Sequence, residues 1–367
     1  MVGAYVNLAG MRLAKREYEE AAALCRRALE FEPGGREATM NLANALRNLG
    51  RREEAVELVW QHIDVERRAD SPTGARAPPL AIDCEAWRPS TSSCSAPTDT
   101  AERSDAGSPG AAPLAVVCVK WGARYGAEYV NRLFAGVRRH LPGMPFDFIC
   151  FTDDAEGLEE EIESRPLPGG LQLWWGKAYL FSDEAGLDGR RVLFLDLDQV
   201  VVGSLAAIAA YRGAFAILGT EGIACELAAG GYNSSVMAWE ASPFFRPVYS
   251  GLDTAALKFV HRFDHWLEMT VAGADLWQAL LPGRVVDYTT VFRGGRCMGS
   301  AAEEASLQES LADGSFATEV AGEADARGAL GEPPPDASVV TFPRYPKPHE
   351  VLELHPWVRR HWLGDPG

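Results

Sequence analysis

Residues Leu114-Ala-Val-Val-Cys-Val119 form a continuous apolar, β-branched run, the pattern of a strand covered on both faces in a parallel sheet. A helical segment, Tyr129 to His140, follows and is stopped by Pro142 and Gly143. Phe146-Asp-Phe-Ile-Cys-Phe151 then reads as a second strand leading into Thr152-Asp153-Asp154. Trp174 to Phe181 is helix-like, and Arg191-Val-Leu-Phe-Leu-Asp-Leu-Asp198 is a third apolar run. Strands alternating with helices predict an α/β domain whose mixed, mainly parallel sheet is flanked by helices. In such sheets ligands sit at the carboxyl ends of the strands, which places Lys120–Tyr125 and Asp196–Gln199 together there.

The 367 residues exceed one ordinary domain, and the chain divides by composition. Residues 1–68 carry 11 basic and 11 acidic side chains and contain a repeat. Asn7-Leu8-Ala9 recurs as Asn41-Leu42-Ala43, and Glu20-Ala21 as Glu54-Ala55, each offset by 34 residues. With Leu8, Ala9, Ala21, Ala28 and Pro33 at the small and apolar positions, this segment resembles tetratricopeptide helix pairs. The signature Tyr of the first helix is Arg12 in one copy and Leu46 in the other. Two such repeats are too few to bury a stack alone, so the head either continues a longer array or packs on something else. A peptide- or protein-binding role and a structural role are both open for it. Residues 69–113, dense in Pro, Ser, Thr and Ala, read as a disordered linker. The domain at 114–367 contains an acidic, flexible insertion at 299–338, where nine acidic side chains face the single Arg327.

Charge and composition exclude several classes. A formal charge of −16 argues against nucleic acid or an anionic membrane as the main partner. No run approaches the roughly 18 apolar residues of a membrane span, and the opening MVGAYVNLAG lacks the basic and long apolar parts of a signal peptide. Seven Cys without a CxxC pair indicate neither a zinc knuckle nor a disulfide framework. Together these predict a soluble, cytoplasmic protein.

The strongest chemical signal is the pair Asp196 and Asp198 after a buried strand, with Val200-Val-Val202 beyond it. Extended backbone projects residues i and i+2 to one side, so the two carboxylates converge. A hard divalent cation and phosphate oxygens would relieve their repulsion, and oxygen-only ligation favours Mg2+ or Mn2+ over zinc. Such a DxD motif occurs in haloacid-dehalogenase-like phosphatases, but there it opens the domain and continues with Gly-Thr or similar rather than Gln199-Val200. Further on come Gly231-Tyr-Asn233-Ser234-Ser235 and the closing Val339-Val-Thr-Phe-Pro-Arg-Tyr-Pro-Lys347-Pro348-His349. In order and content these elements resemble the nucleotide-sugar glycosyltransferases of the GT-A fold, in the glycogenin-like and bacterial glycosyltransferase-like groups. The resemblance spans roughly residues 114–298 and 338–362.

That resemblance implies a metal-dependent transfer of sugar from a nucleoside-diphosphate donor to a glycan, protein or lipid acceptor. It implies Asp196 and Asp198 as metal ligands and Lys347 as a catalytic charge beside the diphosphate. Lys177, Asn233, Ser234 and Ser235 would contact the donor, and Val119, Lys120 and Trp121 would meet its base and ribose. Asp264, in the ionisable stretch Phe259 to Met269, is the candidate catalytic carboxylate, as general base of an inverting reaction or sugar-orienting group of a retaining one. The closing His that often serves as third metal ligand is Thr341 here, and His349 is the candidate substitute. The alternative is an interaction adaptor carrying a degenerate, inactive transferase-like domain.

Overall fold

The computed structural model describes residues 2–70, 82–88, 113–221, 223, 231–293, 331–343 and 345–364. Four helices form the head: α1 (Val2–Ala14), α2 (Tyr18–Phe31), α3 (Arg36–Asn48) and α4 (Arg52–Asp70). The second pair repeats the first at the 34-residue offset read from the sequence, Val2 to Arg36 and Tyr18 to Arg52. Ala9, Ala21 and Ala28 are fully buried, so small side chains let the antiparallel helices approach closely, whereas Leu8 stays exposed.

The strands are β1 (Ile82–Asp83), β2 (Leu114–Lys120), β3 (Phe146–Thr152), β4 (Glu163–Pro166), β5 (Arg191–Leu195) and β6 (Val200–Val201). They continue as β7 (Phe215–Gly219), β8 (Tyr232–Glu240), β9 (Val271–Ala272), β10 (Asp275–Leu276), β11 (Val285–Asp287) and β12 (Val339–Thr341). Seven build the main sheet in the order β10-β7-β8-β5-β2-β3-β4. Its pairings are parallel except for the two made by β8, as the continuous apolar runs predict. Helix α5 (Ala127–His140) covers one face with Tyr129, Val130, Leu133, Phe134 and Val137. The short helices α6 (Ala206–Ala209), α7 (Pro247–Ser250), α8 (Thr254–Phe259) and α9 (Phe263–Thr270) complete the layers used below.

Two pairings position the site. β8 lies antiparallel between β5 and β7, with Leu195 opposite Val236, so its first residues meet the carboxyl end of β5. In the small sheet β12 runs antiparallel to β6, with Val340 opposite Val200, and carries the closing segment back to the Asp196–Gln199 turn.

The head does not hang on a tether. One buried core runs from Ala9, Leu46 and Ile63 of the head into Phe259, Trp266 and Met269 of the α/β domain. The Trp60 ring lies 5.6 Å from that of Trp266, and His62 lies 5.6 Å from Phe259. Polar ties surround this seam: Arg67 to Asp253 at 2.6 Å, the Arg36 guanidinium to Lys258 O at 2.6 Å, and Lys258 to Glu66. The apolar flank that two repeats cannot bury between themselves is thus closed by α8 and α9.

The linker expected at 69–113 is corrected at residues 82–88. Ile82 and Asp83 pair in parallel with Val271 and Ala272, Asp83 caps Glu85 N, and Ile82 and Cys84 are buried. Burial of Ile82 and Cys84, together with the β1–β9 pairing, opposes the ordering cost of this short piece. The rest of that stretch, 71–81 and 89–112, lies outside the described residues, as does most of the acidic insertion, 299–330. The insertion's last residues belong to the fold: Ala337 and Ser338 are buried, and Ser338 Oγ donates to Ser204 O at 2.6 Å. Among the described residues no helix is long and apolar enough to cross a membrane.

Trp266 is fully buried, and its Nε1 donates to Val248 O at 2.7 Å. Trp266→Ala should therefore cost about 3–5 kcal/mol, read from the urea midpoint. A loss below about 1 kcal/mol would contradict the shared core.

Candidate active site

Asp196 follows β5 directly, and its N–H donates to Ser235 O at 3.0 Å. Gln199 N–H closes the turn on Asp196 O at 3.3 Å. Each carboxylate has its own ammonium. Lys177, from the 3₁₀ helix Leu173–Phe181, reaches Asp196 at 2.8 Å and Ser234 Oγ at 3.0 Å. Lys347, from the closing segment, reaches Asp198 at 2.6 Å and donates also to Phe342 O at 2.7 Å. Tyr125 OH donates to Asp198 at 3.3 Å, and so does Gln199 Nε2 at 3.3 Å.

The two carboxylates differ in basicity. Burial pushes Asp196 up to about 6; Lys177 opposes this shift, and the neighbouring Asp198 charge adds to it. Desolvation pushes Asp198 up too, but the Lys347 charge and hydrogen bond, with help from Lys177 and Tyr125, outweigh this and hold it below the usual carboxylate range. At neutral pH both are ionised, and the lysines compensate them.

Asp264, in the first turn of α9, accepts the Ser234 N–H at 2.8 Å. Asn233, Ser234 and Ser235 are buried at the start of β8, with Asn233 Oδ1 accepting from Ser235 N at 3.1 Å. The structure therefore gathers Asp196, Asp198, Lys177, Lys347, Ser234, Ser235, Asn233 and Asp264 at one end of the sheet. At the end of β2, Lys120 is buried and donates to Asp154 O at 3.0 Å, which ties β2 to the turn after β3. Val119 and Trp121 flank it, both half-buried. The Asp153 carboxylate accepts the Gly122 N–H at 3.0 Å and shapes the same turn.

His349 is placed differently. It is exposed, and its Nδ1 is paired with the Tyr129 hydroxyl. Thr341 is buried in β12, and its hydroxyl donates to Val286 O at 3.3 Å. Among the described residues no three of His, Cys, Asp and Glu come together as a metal shell. The donors that are present still suit a hard cation: two convergent carboxylates, plus the buried Gln199 Oε1, which has no hydrogen-bond partner.

Sequence reasoning missed Tyr125 and Gln199 as partners of Asp198, although both lie in turns expected at the carboxyl ends of the strands. It also missed Glu268, whose carboxylate accepts Tyr232 N at 3.2 Å and faces arginines of the head. No local pattern signals that contact, because its partners are more than 200 residues apart.

Residues 12–65 match the family model described as Tetratricopeptide repeat. No curated protein matches the chain in sequence. Among solved structures the chain is similar to an active-site mutant of LgtC, at 13% identity over 65% of this chain and 94% of that one, with a TM-score of 0.41. The galactosyltransferase LgtC in complex with donor and acceptor sugar analogs is similar at 12% identity, with coverage of 65% and 94% and a TM-score of 0.39. The glycosyltransferase GlyE of Streptococcus pneumoniae TIGR4 is similar at 13% identity over 68% of this chain and 62% of that one, with a TM-score of 0.39.

The raised basicity of Asp196 has a definite sign. Its folded pKa of about 6 exceeds the ordinary carboxylate value, so its contribution to stability is full at acid pH and is lost as pH rises through about 6. Asp196→Asn should remove that loss, so the variant gains stability relative to wild type between pH 4.5 and 7.5 in urea titrations. A pH-independent difference between the two proteins would contradict the assignment.

Proposed function

We propose that the chain is a glycosyltransferase that takes a sugar from a nucleoside-diphosphate donor and passes it to a glycan, protein or lipid acceptor. One observation carries the reading. Two carboxylates and two lysines, drawn from three separate segments, converge with small hydroxyl residues of a fourth at the carboxyl end of a mainly parallel sheet.

In this reading the donor diphosphate lies over Asp196 and Asp198. Those two residues would hold Mn2+ or Mg2+, which supplies positive charge against the leaving diphosphate. Lys347 adds charge to the same phosphates, where negative charge grows as the sugar departs. Because Lys347 is buried and anchored to Phe342 O, its ammonium is preorganised and does not have to be recruited from solvent. Lys177 bridges Asp196 and Ser234 and so links the phosphate end to the sugar end. Asn233 and the serines border the sugar, with Asp264 fixing the start of β8 and presenting its carboxylate to the sugar or acceptor side. Val119, Lys120 and Trp121 would receive the base and ribose, the half-buried indole offering a stacking face.

The experiment is release of free nucleotide by the purified chain with Mn2+ from a panel of UDP-, GDP- and TDP-sugars. Turnover of one donor is expected. Asp198→Asn and Lys347→Met should each lower kcat by about 100-fold or more. Nucleotide should raise the melting temperature only with the metal present, an effect lost in Asp198→Asn. Silence across the panel, with no thermal shift, would overturn the reading in favour of an interaction adaptor.

A further inference from the structure

Helix α9 meets the start of β8 through two carboxylates one turn apart. Asp264 accepts Ser234 N at 2.8 Å, and Glu268 accepts Tyr232 N at 3.2 Å. The spacings match: residues i and i+4 share a helix face, and alternate N–H groups of an extended chain share a side. Helix α9 thus pins two alternate amides of the segment that carries Asn233, Ser234 and Ser235.

Asp264 lies toward the site, but Glu268 lies toward the head. Its Oε2 is 3.4 Å from Arg47 Nε and 3.5 Å from Arg52 Nε. The side chains of Arg47 and Glu268 are only 8% and 5% exposed, so solvent does little to compensate either charge. A carboxylate charge buried this far loses its hydration and needs a cation beside it as compensation. That cation comes from α3 and α4 of the head. The approach is tight as well: a Cβ at Gly231 would stand 2.7 Å from Glu268 Oε1, so a side chain there would force strand and carboxylate apart.

We propose that Arg47, assisted by Arg52, is a positioning residue for the catalytic domain. By pairing with Glu268 and holding its carboxylate against Tyr232 N, the head sets the start of β8 and with it the placement of Asn233 and Ser234 beside Asp196. The head is then part of the site's scaffold. The positioning stands on the contacts alone, while its effect on turnover rests on the transferase reading above.

The test uses the full chain, with Arg47→Met made alone and together with Arg52→Met. Amide hydrogen exchange at Tyr232 and Ser234 should quicken at least tenfold, and the KM for whichever donor is turned over should rise more than kcat falls. Arg47→Lys should restore part of both. Adding Glu268→Gln to Arg47→Met should restore protection at Tyr232, because a neutral amide oxygen accepts the bond without a cation. Arg67→Ala, which cuts the separate tie to Asp253, should leave both readouts unchanged. Unaltered exchange at Tyr232 in the folded double-arginine variant would overturn the proposal, as would equal changes in Arg67→Ala. If wild type turns over no donor, the functional reading fails, while the exchange measurement still decides the positioning.

Discussion

Two carboxylates placed two residues apart at the end of a buried strand have to be compensated, and the molecule is arranged around doing so. Asp196 draws Lys177 from the 3₁₀ helix, and Asp198 draws Lys347 from the closing segment. The first ion pair ties the 3₁₀ helix to the end of β5, and the second reinforces the closing segment that β12 already brings to β6. They are worth little as sources of stability, since desolvation offsets most of the attraction. Their value is positional. They hold two ammonium groups against two carboxylates at the end of β5.

The sheet makes this gathering feasible through one reversed strand. Were β8 parallel to β5, its carboxyl end would lie beside Asp196, and Asn233–Ser235 would sit at the far end of the sheet. The antiparallel insertion brings the beginning of β8 to the end of β5, where Ser235 O accepts Asp196 N–H. The pairing of β12 with β6 does the same for the closing segment. Each reversal delivers side chains to the carboxyl ends of parallel strands, the place where such sheets bind ligands.

The head enters the same logic from outside. Two helix pairs leave an apolar flank and present arginines beside it, and the α/β domain offers Trp266, Phe259 and the buried Glu268. Packing one against the other removes both liabilities. It also means that the start of β8 is braced by a residue of the head as well as by its own sheet.

Much of this was legible in the chain itself. Local hydrophobic patterning marks β2, β3 and β5 because strands covered on both faces need unbroken apolar runs, and the 34-residue offset marks the helix pairs because equivalent packing needs equivalent small residues. The aspartate pair announces itself by chemistry: two charges seldom follow four apolar residues without a reason. What tertiary structure alone decided is partnership across distance. That Lys177 answers Asp196 and Lys347 answers Asp198, that His349 turns to Tyr129 instead, that residues 82–88 join α9's neighbour β9, and that Arg47 faces Glu268 all depend on which surfaces meet. Periodicity and spacing report a residue's local face. A buried charge is matched by whatever the fold brings within about 4 Å of it, and no local pattern records that.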